Sequence, residues 1–199
     1  MCKRIFVAVF PLHSKMYKRI FIVVLILSAS IYSKAQDLWF TRNGSISFYA
    51  GTPLEDIDAN NNDVASLINI KTGEVAFTVL IKSFHFKRAL MEEHFNENYM
   101  ESTKYPKSTF TGKITDPSFV NFGKDGSYLV SVEGDLTIHG QTRKVSTPAN
   151  ITVSGGKISA TSTFKVMMAD YKISIPGVVA DKISKEAKIE VKCYYEKKN

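Results

Sequence analysis

Residues 127–139, with the sequence SYLVSVEGDLTIH, decide the fold class. Val130, Val132, Leu136 and Ile138 alternate with polar residues, and alternation over this length is typical of a β-strand with one buried face. Thirteen residues at about 3.3 Å each span roughly 40 Å, which is longer than an ordinary small barrel requires. The stretch therefore predicts a mainly antiparallel β protein with an elongated interior.

The same period of two recurs along most of the chain. It predicts strands over residues 45–49, 63–70, 74–82, 108–114, 145–153, 157–168 and 188–195. Asn43-Gly44 predicts a turn before the first strand, Asp125-Gly126 a tight hairpin turn with positive φ, and Gly155-Gly156 a second hairpin. Seven or eight strands indicate a closed barrel or a sandwich. Closure removes exposed strand edges, and a barrel of about eight strands has room for one small ligand.

Residues 88–96 depart from this alternation and favour a helix. Leu90 and His94 are four residues apart, as are Met91 and Phe95, so each pair would be neighbours on one side of the helix. The Tyr105-Pro106 pair ends the helical region, because proline lacks a donor and restricts the residue before it. The sequence predicts one short helix that lies against the sheet and caps an opening.

Residues 1–35 have the order of a secretory signal peptide: basic residues, an apolar run at 20–27, and the small-residue site Ser33-Lys34-Ala35. We predict cleavage after Ala35, leaving residues 36–199 as a single exported domain, periplasmic or secreted. Met16 is an alternative start, because residues 16–35 alone make a complete signal. The apolar run is shorter than the roughly 20 residues of a membrane-spanning helix, so no transmembrane segment is expected after processing.

Removal of this segment changes the charge balance. It carries six basic residues and no acidic ones, so the mature chain keeps 20 basic against 19 acidic residues, a net charge of +1 instead of +7. A nucleic-acid partner needs a basic surface that persists in the folded domain, and the charge predicts none. One cysteine, Cys193, remains. It continues a strand alternation and is expected to be a small buried apolar residue.

Several motifs occur in a specific order. Phe84-His85-Phe86 through His94-Phe95 is followed by Lys104-Tyr105-Pro106 and Ser108-Thr109-Phe110, then by the segment 132–140, VEGDLTIHG, and by Phe164, Asp170-Tyr171, Ile173 and Pro176. In this order and spacing the chain resembles the YceI-like family, from about residue 39 to residue 195. The resemblance implies an extended, lipocalin-like, eight-stranded antiparallel barrel that is exported. It also implies binding of polyisoprenoid or similar long amphiphilic chains, without catalysis and without a cofactor, and it is compatible with a homodimer.

A long flexible tail requires a deep apolar tube, to which aromatic, aliphatic and methionine side chains contribute. Phe84, Phe86, Met91 and Phe95 are the strongest candidates, because they lie where the strand pattern breaks and the helix begins. Ordinary core packing would produce the same apolar pattern at every candidate. The further candidates are Phe48, Phe77, Val79, Leu90, Phe110, Leu136, Ile138, Phe164, Val166 and Met168. His94, Tyr105 and Arg88 are candidates for contacts with a polar head group.

The leading hypothesis is an exported protein that holds a polyisoprenoid or isoprenoid quinone for transport, storage or sequestration. A fatty acid or fatty amide in the same tube is the related alternative. A packed β module that contacts another envelope protein is an alternative of a different class, and an enzyme is the third.

No metal site is predicted, since no His or Cys spacing is that of a ligand set. His139 is expected to make a local hydrogen bond, and aspartate at Phe84 or Met91 is expected to abolish lipid uptake.

Overall fold

Eight long strands close into one antiparallel barrel in the computed structural model, which describes residues 37–198. The strands are β1 (Leu38–Gly51), β2 (Asp58–Asn69), β3 (Glu74–Leu80), β4 (His85–Phe86), β5 (Lys107–Ile114), β6 (Gly126–Ile138), β7 (Gln141–Ser154), β8 (Lys157–Met167) and β9 (Ile183–Lys197). Around the barrel the order is β1-β9-β8-β7-β6-β5-β3-β2, and pairing of β1 with β2 completes the closure. The two-residue strand β4 pairs with β2 alone. Of the two architectures left open by the sequence, the barrel is confirmed.

The predicted short helix is also present. Helix α1 (Ala89–His94) continues into a π-helical turn, Phe95–Tyr99, so the helical segment ends three residues later than predicted. Short 3-10 turns lie at Ile81–Ser83, Pro117–Phe119, Met168–Tyr171 and Gly177–Val179. No helix within residues 37–198 is long and apolar enough to cross a membrane. The predicted signal peptide, residues 1–35, lies outside the described part of the chain.

The core divides into two groups of buried side chains. One contains Ile68, Ile114, Ile151, Ile158, Val75, Val120, Val130, Val132, Cys193 and Tyr195. The other contains Ile46, Ala59, Val64, Val79 and Phe84. Cys193 is fully buried, which confirms the prediction for this residue, and burial raises the pKa of its thiol to about 11. The hydroxyl of the neighbouring buried Tyr195 lies 2.8 Å from Oγ of Ser66, so this polar group is satisfied inside the barrel.

Two of the three turn predictions are wrong. Gly126 begins strand β6, and neither it nor Asp125 has a positive φ. The Asp125 carboxylate instead accepts a hydrogen bond from the backbone N–H of Gly155, at 3.0 Å, in the next hairpin. The β6–β7 turn is formed by His139 and Gly140, with φ of 49° and 70°. Gly155 and Gly156, with φ of 56° and 72°, form the predicted β7–β8 hairpin.

The Asn43-Gly44 pair lies inside β1 instead of in a turn before it. The pairing register of β1 with β2 shifts on both sides of Gly44, which marks a β-bulge. A Cβ at Gly44 would lie 2.8 Å from Sγ of Cys193. Glycine is therefore required here because a buried side chain approaches the backbone closely. The prediction is wrong because the local sequence, Asn-Gly, is the same as that of a turn.

Candidate functional site

A cavity of about 520 Å³ occupies the part of the barrel interior next to helix α1. Every strand except β2 and β7 contributes inward-facing side chains to its wall, as do α1 and the segment between β8 and β9. Alternation along each strand places every second side chain on this inner face. The wall includes Phe48, Val79, Phe84, Phe86, Leu90, Met91, His94, Phe95, Leu136, Ile138, Phe164, Val166 and Met168 from the predicted set.

A second, smaller cavity of about 120 Å³ lies further along the interior. Phe77 and Phe110, the remaining apolar candidates on β3 and β5, line it. Their rings meet at 6.2 Å between centroids, in an edge-to-face arrangement. The ring of Phe110 also covers Gly112 and Gly134, which face each other across the β5–β6 pair. The elongated interior predicted from the length of β6 is therefore present as two cavities.

Four phenylalanine rings pack together where the helical segment meets the barrel. Phe95 lies 5.4 Å from Phe48, 5.6 Å from Phe84 and 5.1 Å from Phe86, measured between ring centroids. Phe48 also contacts Phe84 and Phe86, at 5.4 and 5.8 Å. Edge-to-face and offset pairs of this kind contribute about 0.5–1.5 kcal/mol each beyond the burial of their area. The rings thus attach the helical segment to the barrel and form one wall of the larger cavity.

Charged and titratable groups line the larger cavity at its solvent-facing rim. Arg88, just before α1, pairs with the carboxylate of Glu55 in the loop between β1 and β2. The Arg88 guanidinium also lies 3.4 Å from Sδ of Met91. His94 and Lys182 complete this group, and both are exposed. The rim therefore offers both signs of charge, and the wall behind it is apolar.

Tyr105 lines neither cavity, so the structure does not bring it to the predicted head-group site. Its ring packs edge-on against His139, with 4.6 Å between ring centroids. The Nδ1–H of His139 donates to the carbonyl of Tyr171 at 3.1 Å, because a carbonyl oxygen only accepts. Nε2 of the same ring lies 2.9 Å from a carboxylate oxygen of Glu101. The expected hydrogen bonding of His139 is present, and both partners are more than thirty residues away in sequence.

Beyond Met168, the sequence interpretation missed the contribution of the segment between β8 and β9. Tyr171, Ile173, Val179 and Lys182 line the larger cavity from irregular backbone and 3-10 turns, where no apolar period is visible. Only the order of motifs that includes Tyr171 and Ile173 pointed to this region. Within residues 37–198, no three His, Cys, Asp or Glu side chains converge into a group that could hold a metal ion.

Comparisons with known proteins give a consistent assignment. The family model of the YceI-like domain matches residues 40–194. A polyisoprenoid binding domain from Saccharophagus degradans, described as implicated in plant cell wall breakdown, has a TM-score of 0.70 at 15% identity, over 81% of this chain and 99% of that domain. BcnA of Burkholderia cenocepacia has a TM-score of 0.63 at 14% identity, over 77% of this chain and 96% of BcnA.

A YCEI protein of Campylobacter jejuni has a TM-score of 0.51 at 21% identity, over 69% of this chain and 84% of that protein. At such low identities these similarities establish a shared fold. No curated protein matches the chain.

Proposed function

The chain belongs to the YceI-like domain family, and on that premise we propose that it is an exported protein that binds a long-chain apolar lipid, a polyisoprenoid or isoprenoid quinone, inside its barrel. It would transport, store or sequester this lipid without catalysis and without a cofactor. The observation that carries the proposal is the apolar cavity of about 520 Å³. This volume falls within the ~300–1,000 Å³ typical of small-molecule sites. The description of the Saccharophagus degradans domain as polyisoprenoid binding supports the ligand class.

The energetics favour a long chain over a short one. Burial of a methylene-sized group contributes about 0.8 kcal/mol, so a five-carbon isoprene unit contributes roughly 4 kcal/mol when fully buried. Association costs about 4–15 kcal/mol in lost freedom of motion. One unit therefore barely offsets this cost, whereas several units give net affinity. Methionine and leucine in the wall, such as Met91, Met168 and Leu136, allow an irregular chain to be accommodated.

The charged rim supports one orientation of the ligand. Glu55, Arg88, His94 and Lys182 all border the larger cavity, and no charged residue borders the smaller one. A polar head group would lose hydration if it entered the apolar end without a partner. The head group is therefore expected beside α1 at the rim, with the tail directed into the barrel.

The cavity also weighs against the alternative of a packed β module, which would have a filled interior. The first experiment is native mass spectrometry of the purified mature protein together with analysis of its organic extract. A stoichiometric prenyl or quinone species would support the proposal. A fatty acid or fatty amide would replace the ligand class while retaining the binding site. No bound lipid and no uptake of added prenols would contradict the binding function.

Two adjacent methionines provide a matched pair of variants. Met168 lines the larger cavity, whereas Met167 is 39% exposed and points away from it. Met168→Asp is expected to lower prenol uptake at least about tenfold, because a carboxylate in the apolar wall loses its hydration. Met167→Asp should leave uptake unchanged. Phe84 is a poor test position, since it is 6% exposed and a charge there would disrupt the core. Equal uptake by the two methionine variants, both folded by circular dichroism, would contradict this placement of the ligand.

Export is tested separately. Cell fractionation with N-terminal sequencing of the processed protein is expected to find it outside the cytoplasm, beginning at Gln36. An unprocessed cytoplasmic protein would refute export and leave lipid binding open to its own test. The homodimer also stays a prediction, which sedimentation of the mature protein tests.

A further inference from the structure

The two cavities are separated by a ring of side chains that borders both of them. The ring consists of Ile46, Val79, Ser108, Leu136 and Phe164. These residues lie on β1, β3, β5, β6 and β8, which are distributed around the closed barrel. The ring is therefore a constriction across the interior, with the charged rim on one side and the smaller apolar cavity on the other.

Phe164 is the largest side chain in this constriction. Ile46, Val79 and Leu136 are 9%, 7% and 8% exposed, so their side chains are held by close packing. Phe164 is only partly buried, and its ring is the one aromatic group that contacts both cavities. It contributes to the wall from β8, where Thr163 and Lys165 on either side point out to solvent. Removal of this ring is the single change expected to join the two cavities.

The volume of the smaller cavity indicates how much of an apolar chain could lie beyond the constriction. An apolar cavity of about 150 Å³ holds benzene, a six-carbon molecule. The smaller cavity here, at about 120 Å³, would accommodate roughly one five-carbon isoprene unit. Its wall carries no charged residue, so it suits the hydrocarbon end of a chain. A chain entering from the rim would reach this space through the ring of five residues, of which Phe164 is the largest.

We propose that the ring at Phe164 sets the length of the apolar chain that the protein holds, because the end of the chain stops there and the smaller cavity stays unfilled. This inference rests on the proposed lipid-binding function. It assigns a specificity-determining role to one side chain within that function. Chain length, measured in isoprene units, is then the property by which the protein selects among prenyl lipids.

The test is a binding series with all-trans prenols that differ by one isoprene unit, from farnesol upward. Wild-type protein is expected to show an optimum length, with little further gain beyond it. Phe164→Ala should move the optimum to a chain at least one unit longer and increase the affinity for that chain about tenfold, a part of the full burial value of one unit. Thermal denaturation of each variant reports on folding.

A second substitution isolates the smaller cavity as the cause. Ala160 lines only that cavity, so Ala160→Leu should fill it without changing the length preference of the wild-type protein. Combined with Phe164→Ala, it should return the optimum toward the wild-type length. Ala149→Leu, from the same wall on β7, replaces it if Ala160→Leu does not fold.

The outcomes separate the two proposals. An unchanged length optimum in Phe164→Ala, or an equal loss of affinity for every chain, would refute the role of the ring while leaving lipid binding intact. Failure of the wild-type protein to bind a prenol of any length would refute the proposed function and the ring with it.

Discussion

Loss of the Phe95 ring is expected to detach the helical cap without unfolding the barrel. Helical segments of about a dozen residues are marginal on their own in water, and no residue of α1 itself is buried. The aromatic part of its attachment is concentrated at Phe95, which contacts the rings of Phe48, Phe84 and Phe86 at 5.1–5.6 Å. Three such pairs at about 0.5–1.5 kcal/mol each contribute roughly 1.5–4.5 kcal/mol, a range that overlaps the ~3–5 kcal/mol typical of Phe→Ala in a core.

Hydrogen–deuterium exchange measured by mass spectrometry checks where this free energy is lost. In Phe95→Ala, protection is expected to fall over residues 85–100 and to stay unchanged in β6. Release of a bound prenol should accelerate, because the wall next to the rim opens. Phe95→Leu, which keeps apolar volume but removes the ring contacts, should show a smaller effect. Phe119→Ala is the matched control, since Phe119 is 72% exposed.

Two results would refute this reasoning. One is a loss of protection spread evenly over all strands, which would show that the helix and the barrel unfold together. The other is a change in Phe95→Ala no larger than in the Phe119 control.

The remaining predictions concern pH and backbone geometry. Burial raises the pKa of the Cys193 thiol from 9.0 to about 11, so the folded state favours the neutral thiol. The stability that this pKa difference contributes is fully present below about pH 9. As the pH rises toward 11, the free energy of unfolding falls by up to roughly 2–3 kcal/mol. Urea unfolding of the wild type and of Cys193→Ala measures this, and identical pH dependence would contradict it. Gly140 and Gly156 have φ of 70° and 72°, but a Cβ would meet a ring carbon of Tyr105 at 2.5 Å only at Gly140. Gly156→Ala should cost about 1–2 kcal/mol of backbone strain and Gly140→Ala about 1–3 kcal/mol more; equal losses of thermal stability would show that the Tyr105 ring moves aside.

The predicted turns show how well the local sequence predicts where the chain reverses direction. Gly155-Gly156 forms the predicted hairpin, because two adjacent residues with positive φ suffice to reverse the chain there. Asp125-Gly126 has equally favourable chemistry, yet Gly126 is already paired with Val153 of β7, and the reversal between β5 and β6 is completed within residues 115–125. The difference lies in the pairing of β6 with β7, which depends on the whole length of both strands.

The sequence by itself determined the β class, the inward face of strands with clear alternation, such as β3 and β6, and the place of the helix. The physical reason is that side chains alternate between the two faces of a strand, so that Leu136, Ile138 and Phe164 follow from position alone. Closure into a barrel, in preference to a sandwich, was left open by that alternation. The family resemblance implied the barrel, and the pairing of β1 with β2 completes it.

Only the tertiary structure decided which inward side chains meet across the interior. Parity along a strand says that a residue points inward and says nothing about its height relative to residues on other strands. The level of each residue is set by the registers of all eight strands together, including the bulge at Gly44. For this reason only the closed barrel shows that the interior is divided into two cavities and that the ring at Phe164 lies between them. It also shows that Tyr105 lies away from the larger cavity and that Lys182 lies at its rim.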